Sequence, residues 1–475
     1  MTSRNACFAL FVSLASLASL SSAATFASPP DSPLSAEDAV ASRENIRQNY
    51  IGDPDVPPTL TGENPALDSP LIPFAWNEQA IRVTDGTGFG GSIAVSGDIA
   101  FVSAATTNGN QGAVYVYQRS NICSMQGCPW VQKQRLVASD GAPNTYFGKV
   151  AFDGTTALIG ASSTTVDGRP SQGAVYVFSR GENRNFAQVQ KLTAPDGAAS
   201  DCYFGTSVAI AGSDALIGAP GCGGTNQAIN SRGSAYRYRK DANGNWVIVQ
   251  KFVASDGGFA ESFGRAVAIN ADTAVIGADS AFQFGYYGVG AAYVYRKQCF
   301  PDGRCNPNWL EKQKLIASPT STGMEFGSSI VLSGTDLFIG APWALTGDEN
   351  LPIQPISGAV WAFKQIDGQW VQQQEMIPSD AYHDWLFGIS ISRSKDTLVV
   401  GSAFAGWPNM KGAAYVFVLN NGIWTEVQKL TASDGTLNDS FGSGVGISDS
   451  GDVLVGSPQG LNNSGQGTMY VYTQQ

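Results

Sequence analysis

Residues 382–384 read Tyr-His-Asp and hold the single histidine of a 475-residue chain. An imidazole between a phenol and a carboxylate can move protons. His383 as general base, with Tyr382 and Asp384 beside it, would suit a lyase or a hydrolase. A lone loop histidine is more often simply solvated, so its neighbours must decide. The stretches "DSAFQFGYYGVG", "PWALTGDENLPIQPIS", "DAYHDWLFG" and "SAFAGWPNMKG" surround that run with aromatic and acidic residues. Flat rings stack on pyranose faces while acids accept hydroxyl protons. Trp and Tyr equally dominate protein hot spots. The ligand-binding candidates are Tyr286, Tyr287, Trp343, Tyr382, Trp385 and Trp407, with Phe282, Phe284 and Phe404 nearby. The plainer alternative is that these rings pack the loops onto the body.

Other chemistry finds less support. A glycosidase needs paired carboxylates, for which Asp348/Glu349 and Asp384 stand as candidates. A lyase needs a positive group for a uronate, and Lys411 is the main one available. No Gly-x-Ser-x-Gly elbow occurs, and one histidine cannot serve serines that recur along the chain. A net charge of −11 and a pI near 4.6 exclude the basic footprint of a nucleic-acid binder.

The elements that position these residues repeat. Phe-Gly occurs at Phe89, Phe147, Phe204, Phe263, Phe326, Phe387 and Phe441, about sixty residues apart. Each copy carries four short segments in one order, as in "FGTSVAIAG", "DALIGAPG", "GSAYRYRK" and "WVIVQKF". They alternate as strands do, with polar turn residues between the first two. The third has aromatics two apart, such as Tyr115/Tyr117 and Tyr415/Phe417, and the fourth usually opens on Trp. Seven such copies predict an all-β, seven-bladed β-propeller of four-stranded antiparallel blades. The last copy lacks its fourth segment, and a fourth-type segment stands alone at about residues 75 to 83. That segment is predicted to close the ring by pairing with the last blade. Ser92, Ser207, Ser329 and Ser390 sit three after their Phe and are expected to face the central axis. The repeated Ser-Asp-Gly, with Asp85, Asp140, Asp196, Asp256, Asp380 and Asp434, reads as an Asx-turn in the connection between blades.

Phe-Gly at the head of each copy and "IGAP" in the second segment, at Ile217–Pro220 and Ile339–Pro342, resemble FG-GAP repeats. Those repeats build the propeller of integrin α subunits and of many exported bacterial proteins. The resemblance covers roughly residues 75 to 475 and implies extracellular binding or adhesion. One family feature is missing. Integrin-type blades carry an Asp-x-Asp-x-Asp-Gly calcium loop between the first two strands. Here the connections are short and usually hold one carboxylate, such as Asp98, Asp153 or Asp214. "DANGNW" at Asp241 is the nearest imitation, so neither metal nor cofactor is expected.

The first 27 residues read as a secretory signal peptide: Arg4, an apolar run from Ala6 to Leu20, then small residues. Residues 28–72 read as a linker with a possible short helix capped near Ser35. The propeller takes 73–475, and no membrane span is expected. Beyond Cys7 the cysteines suggest three local pairs, Cys123–Cys128, Cys202–Cys222 and Cys299–Cys305. The expected protein is a secreted or periplasmic monomer. It is a non-enzymatic binding or adhesion module whose aromatic loops hold an extracellular carbohydrate or protein. The alternatives are a polysaccharide-active enzyme using the same face and a structural envelope protein.

Overall fold

The structure is a computed structural model of the chain. It describes residues 76–124, 127–195, 201–222, 232–258, 261–346, 356–381, 385–406, 410–459 and 465–474. The signal peptide and linker lie outside these, as do Asp196, Asp348, Glu349, Tyr382, His383, Asp384 and Trp407.

The described residues form 28 strands in seven four-stranded antiparallel sheets. Numbered in chain order, they run from β1 (Trp76–Thr87) to β28 (Gln466–Gln474). Six blades are continuous in sequence. The seventh joins Gly444–Ile447, Val453–Ser457 and β28 to β1. The chain ends therefore close the ring, as the unpaired front segment predicts. No helix among the described residues is long and apolar enough to cross a membrane.

The recurring residues are junction chemistry. Each Phe of a Phe-Gly pair sits between the two aromatics of its own third strand: Phe89 lies 5.5 and 6.1 Å from Tyr115 and Tyr117, and Phe387 lies 5.5 and 6.0 Å from Tyr415 and Phe417. The glycine of "IGAP" meets the next blade. A Cβ at Gly160, Gly218, Gly277, Gly340, Gly401 or Gly456 would stand 1.9–2.3 Å from the carbonyl oxygen of a Phe-Gly glycine. Only a residue without a side chain lets the backbones approach that closely. At the first-to-second junction Ser103 takes this place, and Gly148 is the one Phe-Gly glycine without a positive φ.

Three of the serines expected to line the axis turn toward the neighbouring blade instead. Ser207, Ser329 and Ser390 donate to the carbonyls of Gly264, Gly388 and Gly442 at 2.8, 2.6 and 2.7 Å. The hydroxyls thereby help to satisfy those carbonyls at the junction.

On the rim, a glutamine from each of five outer strands grips the next blade's backbone. Gln313 donates to Trp370 O and accepts from Trp370 N, both at 2.8 Å, and Gln134, Gln190, Gln250 and Gln374 do likewise. The Ser-Asp-Gly aspartates also serve junctions. Asp140 accepts from Tyr176 at 2.7 Å and Lys191 at 2.6 Å, and Asp256 from Tyr293 and Lys314 at 2.8 and 2.6 Å. Asp380 binds Tyr415 and Lys429 at 2.9 and 2.5 Å, while Asp85 and Asp434 bind Tyr115 with Arg135 and Tyr470 with Arg82. Burial opposes ionisation of Asp140 and Asp256, but the hydrogen bonds from lysine and tyrosine outweigh it and hold both below the ordinary carboxylate range.

The junction between blades four and five departs from this. Pro319 stands where the aspartate would be, Trp361 replaces tyrosine, and Glu375, paired across from Trp361, replaces lysine. Burial alone pushes the Glu375 carboxyl up to about 7. A carboxyl raised in the folded state binds its proton more tightly there than when unfolded. The fold therefore loses stability as pH rises from the unfolded value, about 4.3, through about 7. Glu375→Gln should stabilise the protein by about 2 kcal/mol near pH 8, allowing for its partial exposure, and by nothing near pH 4. Urea unfolding at the two pH values measures this, and an equal effect at both would refute it.

Candidate functional site

The loops between second and third strands and the connections between blades share one face of the ring. In blade four the strand Thr273–Ala278 leads into a loop that ends at Ala291. Within it Gln283 N donates to Tyr286 O at 3.0 Å and Tyr286 N to Gln283 O at 2.8 Å. The two residues between have positive φ, 52° at Phe284 and 88° at Gly285. That is a two-residue turn of the type that normally takes Asn-Gly. A phenylalanine in left-handed backbone is uncommon and strained. Here it stands at the tip with its ring 44% exposed. Phe282 and Tyr287 flank it, 43% and 72% exposed, their rings 4.8 Å apart. Tyr286 turns the other way and packs, half-buried, on the core between blades four and five.

The other described candidates divide in the same manner. Trp343 and Phe404 are half-buried. Trp343 N donates to Met324 O at 3.3 Å, which sets the indole backbone beside Glu325. Trp385 is 6% exposed within the blade-six core, and the Lys429 ammonium lies 5.0 Å from its ring. Tyr286 and Trp385 thus pack against core clusters and Trp343 is half-buried, whereas Tyr287 lies with Phe282 and Phe284 in the exposed cluster.

Charge lies next to the aromatic loop. Asp279 directly follows the strand Thr273–Ala278 and is 8% exposed, with Arg265 Nε 3.2 Å from its Oδ2. Ser280 Oγ donates to Asp279 Oδ1 at 3.1 Å and accepts from Ser262 Oγ at 3.2 Å. Burial raises the Asp279 carboxyl even so, because the guanidinium and hydroxyl recover less than desolvation costs. Glu325, immediately before Phe326, has φ 58°. Burial, then the Asp279 charge, push its carboxyl up to about 7, with Arg265 working against them. Burial raises both carboxyls, and that of Glu325, at about 7, can accept and release a proton near neutral pH. They equally hydrogen-bond sugar hydroxyls. Sequence reading missed all three. Their signal was the repeat itself: Arg265, Asp279 and Glu325 hold charge where most other copies have neutral residues. Among the described residues no group of His, Cys, Asp and Glu is arranged to hold a metal ion.

The three cysteine pairs form disulfides. Cys202–Cys222 ties a connection between blades to the next loop of blade three on this face. The other two staple hairpins between third and fourth strands.

A family model described as FG-GAP repeat matches residues 130–178, 186–238, 246–295, 309–363, 370–417 and 424–472, more than half the chain. The chain belongs to the FG-GAP repeat family. Each FG-GAP match runs from the outer strand of one blade to the third strand of the next, so it brackets a junction. The remaining FG-GAP unit, residues 76–117, carries the same strands with two departures. One is Ser103 at the glycine position. The other lies in β1: the six other outer strands carry a bulge, whereas β1 pairs with β28 continuously from Trp76 to Arg82. The absent bulge explains why Trp76 falls one residue out of the repeat pattern. Among curated proteins none matches the chain in sequence.

Proposed function

We propose that this FG-GAP propeller is an exported, non-enzymatic binding module that holds a carbohydrate on the loop face of blades four to six. The observation that carries the reading is Phe284. A large apolar side chain that strains its turn and still leaves 44% of its surface exposed suits a ring kept for a ligand. Phe282 and Tyr287 beside it widen the stacking surface, and Asp279 and Glu325 supply acceptors for hydroxyls. The FG-GAP fold supports a binding or structural module. The apolar run near the N-terminus and the disulfides support export. Tyr382, Trp407 and His383 remain proposed members of the same face from sequence alone.

Phe284→Asn tests this. Asparagine suits the turn, so the variant should fold as well as the parent or gain about 0.5 kcal/mol. Its affinity for a bound polysaccharide should fall about ten-fold or more, since the stacking ring is gone. Co-elution with neutral and acidic polysaccharides on gel filtration measures the loss. Unchanged affinity in a folded variant would sink the reading.

A second reading rests on the Asp279–Glu325 pair, whose raised carboxyls suit general acid catalysis. Shortening of the polymer in the same experiment would establish a polysaccharide-active enzyme. Recovery of intact polymer with the protein favours the binding module.

A further inference from the structure

The strand β1 leaves its partner before it ends. It pairs with β28 as far as Arg82, opposite Thr468, and meets it again at Thr87, opposite Gln466. Residues 83–86 are therefore bowed out of the ladder against a single residue of β28. Bulges gather beside functional sites, where they re-aim side chains. Here the bow brings Thr84 and Asp85 to the wall of a cavity of about 530 Å³. Thr107 and Asn108 from the second-to-third loop of blade one, Arg135 from its outer strand, and Gln466 supply the rest of the wall. That volume falls within the range of small-molecule sites. The cavity lies on the loop face, where blade seven closes onto blade one. Three blades separate it from blade four in either direction round the ring, so it is a site apart from the Phe284 cluster.

Opposite charges stand side by side in this wall. Arg135 Nε lies 3.0 Å from Asp85 Oδ2 and donates to Tyr115 Oη at 3.3 Å. At matching junctions a lysine holds the aspartate instead: Lys191 on Asp140, Lys314 on Asp256 and Lys429 on Asp380. An ammonium is a point charge, whereas a guanidinium is a planar fork of donors. Among the described residues only Nε of Arg135 is engaged, which leaves both amino groups for a ligand. Asp85 accepts from Tyr115 and pairs with Arg135, and a carboxylate has roughly four acceptor positions, so capacity remains. The wall is braced from both sides: Thr107 Oγ1 donates to Asp85 O, and Gln466 Nε2 donates to Thr84 O at 3.1 Å.

The two charges offset each other, so the cavity favours neither an anion, which Asp85 repels, nor a cation, which Arg135 repels. A hydroxyl both donates and accepts. Two on neighbouring carbons meet the carboxylate and the guanidinium together. Among the described residues no aromatic ring lines the cavity, so it suits the polar edge of a sugar rather than its face. We propose that this cavity is a saccharide site of its own, binding the vicinal hydroxyls of one neutral sugar unit through Arg135 and Asp85. It does not depend on the reading of blade four.

The test uses the full chain carrying Phe284→Asn, which removes the blade-four tip. Probes are the methyl glycosides of glucose, galactose and mannose, with glucuronate, glucosamine and sorbitol for comparison. Saturation-transfer NMR titrations read the affinities. At least one neutral glycoside should bind with a Kd of about 1 mM, about ten-fold tighter than the two charged sugars. Arg135→Lys restores the residue used at the other junctions, so it should fold with an unchanged melting temperature and bind about ten-fold more weakly. Asn108→Gly is a second variant safe for folding, because Asn108 has φ 50°; it should weaken binding about three-fold, since an amide hydrogen bond is lost. Binding that survives both variants, or no binding at all, would overturn the site. Glucuronate binding tighter than the neutral sugars through Arg135 would overturn the neutral assignment. Sorbitol binding as tightly as the glycosides would overturn the sugar in favour of an open-chain polyol. If the parent binds and Phe284→Asn does not, this site falls and the blade-four reading stands. Binding that Phe284→Asn keeps and Arg135→Lys loses supports the site, whatever becomes of blade four.

Discussion

Gly277→Ala should destabilise the propeller by about 3 kcal/mol or more, although alanine is the mildest substitution available. Gly277 has ordinary backbone angles, so conformational freedom is not what its replacement removes. The cost is contact. A Cβ there would stand 2.1 Å from Gly327 O and 3.0 Å from Gly327 C, both backbone atoms of the next blade. No rotamer change relieves a clash with backbone, so the two blades must separate. Separation would also loosen the core that Phe326 shares with Val275 and Val289 of blade four. Gly91→Ala is the control. Its Cβ would meet nothing nearer than 3.5 Å, and its effect should stay within about 0.5 kcal/mol. Urea unfolding of both variants measures the difference. A cost below about 1 kcal/mol at Gly277 would show that blades shift more freely than interior packing allows.

A chain starting at Gly88 should lose cooperative folding, and a peptide of residues 73–88 added in trans should restore it. Removal of β1 strips β28 of its partner and leaves an open edge in blade seven. It also withdraws Val83 from the core shared with Phe89 and Tyr115. Glu78 goes with it, and Glu78 accepts from Ser433 N and Oγ at 3.1 and 2.7 Å and from Tyr472 Oη at 3.1 Å. These contacts help to close the ring between blades seven and one, so their loss spreads to both flanking junctions. Strand addition to an exposed edge is a known mode of recognition, and rescue in trans would identify the edge as the defect. Sharp, unchanged unfolding of the shortened chain would show that six blades and three strands suffice.

The ring was readable from the sequence because each blade is written seven times. Phe-Gly, the paired aromatics and the Trp-led outer strand gave strand order, blade number and the split seventh blade. What each repeated residue touches was less readable. Ser207 and Asp140 recur whether they line an axis, shape a turn or hold a neighbour, and only the junction geometry distinguishes these. The candidate site was half readable. Exposed aromatics at Phe282, Phe284 and Tyr287 stand out by type. The burial of Trp385 depends on how its connection folds beneath blade six, which residue type does not reveal.

The junction of Pro319, Trp361 and Glu375 has a further meaning beside its intact counterparts at Asp140, Asp256 and Asp380. In the intact version three side chains satisfy one another. Replacing the aspartate alone strands a lysine; replacing the lysine alone strands an aspartate; replacing the tyrosine alone removes a donor. Each first step from the repeated pattern is unfavourable, and the three together are tolerated. The molecule thus contains its own record of epistasis: at equivalent positions in one polypeptide the triplet has changed as a unit at one junction, and the single changes among the other described copies, Arg135 and Arg82 for lysine, keep the positive charge beside the aspartate.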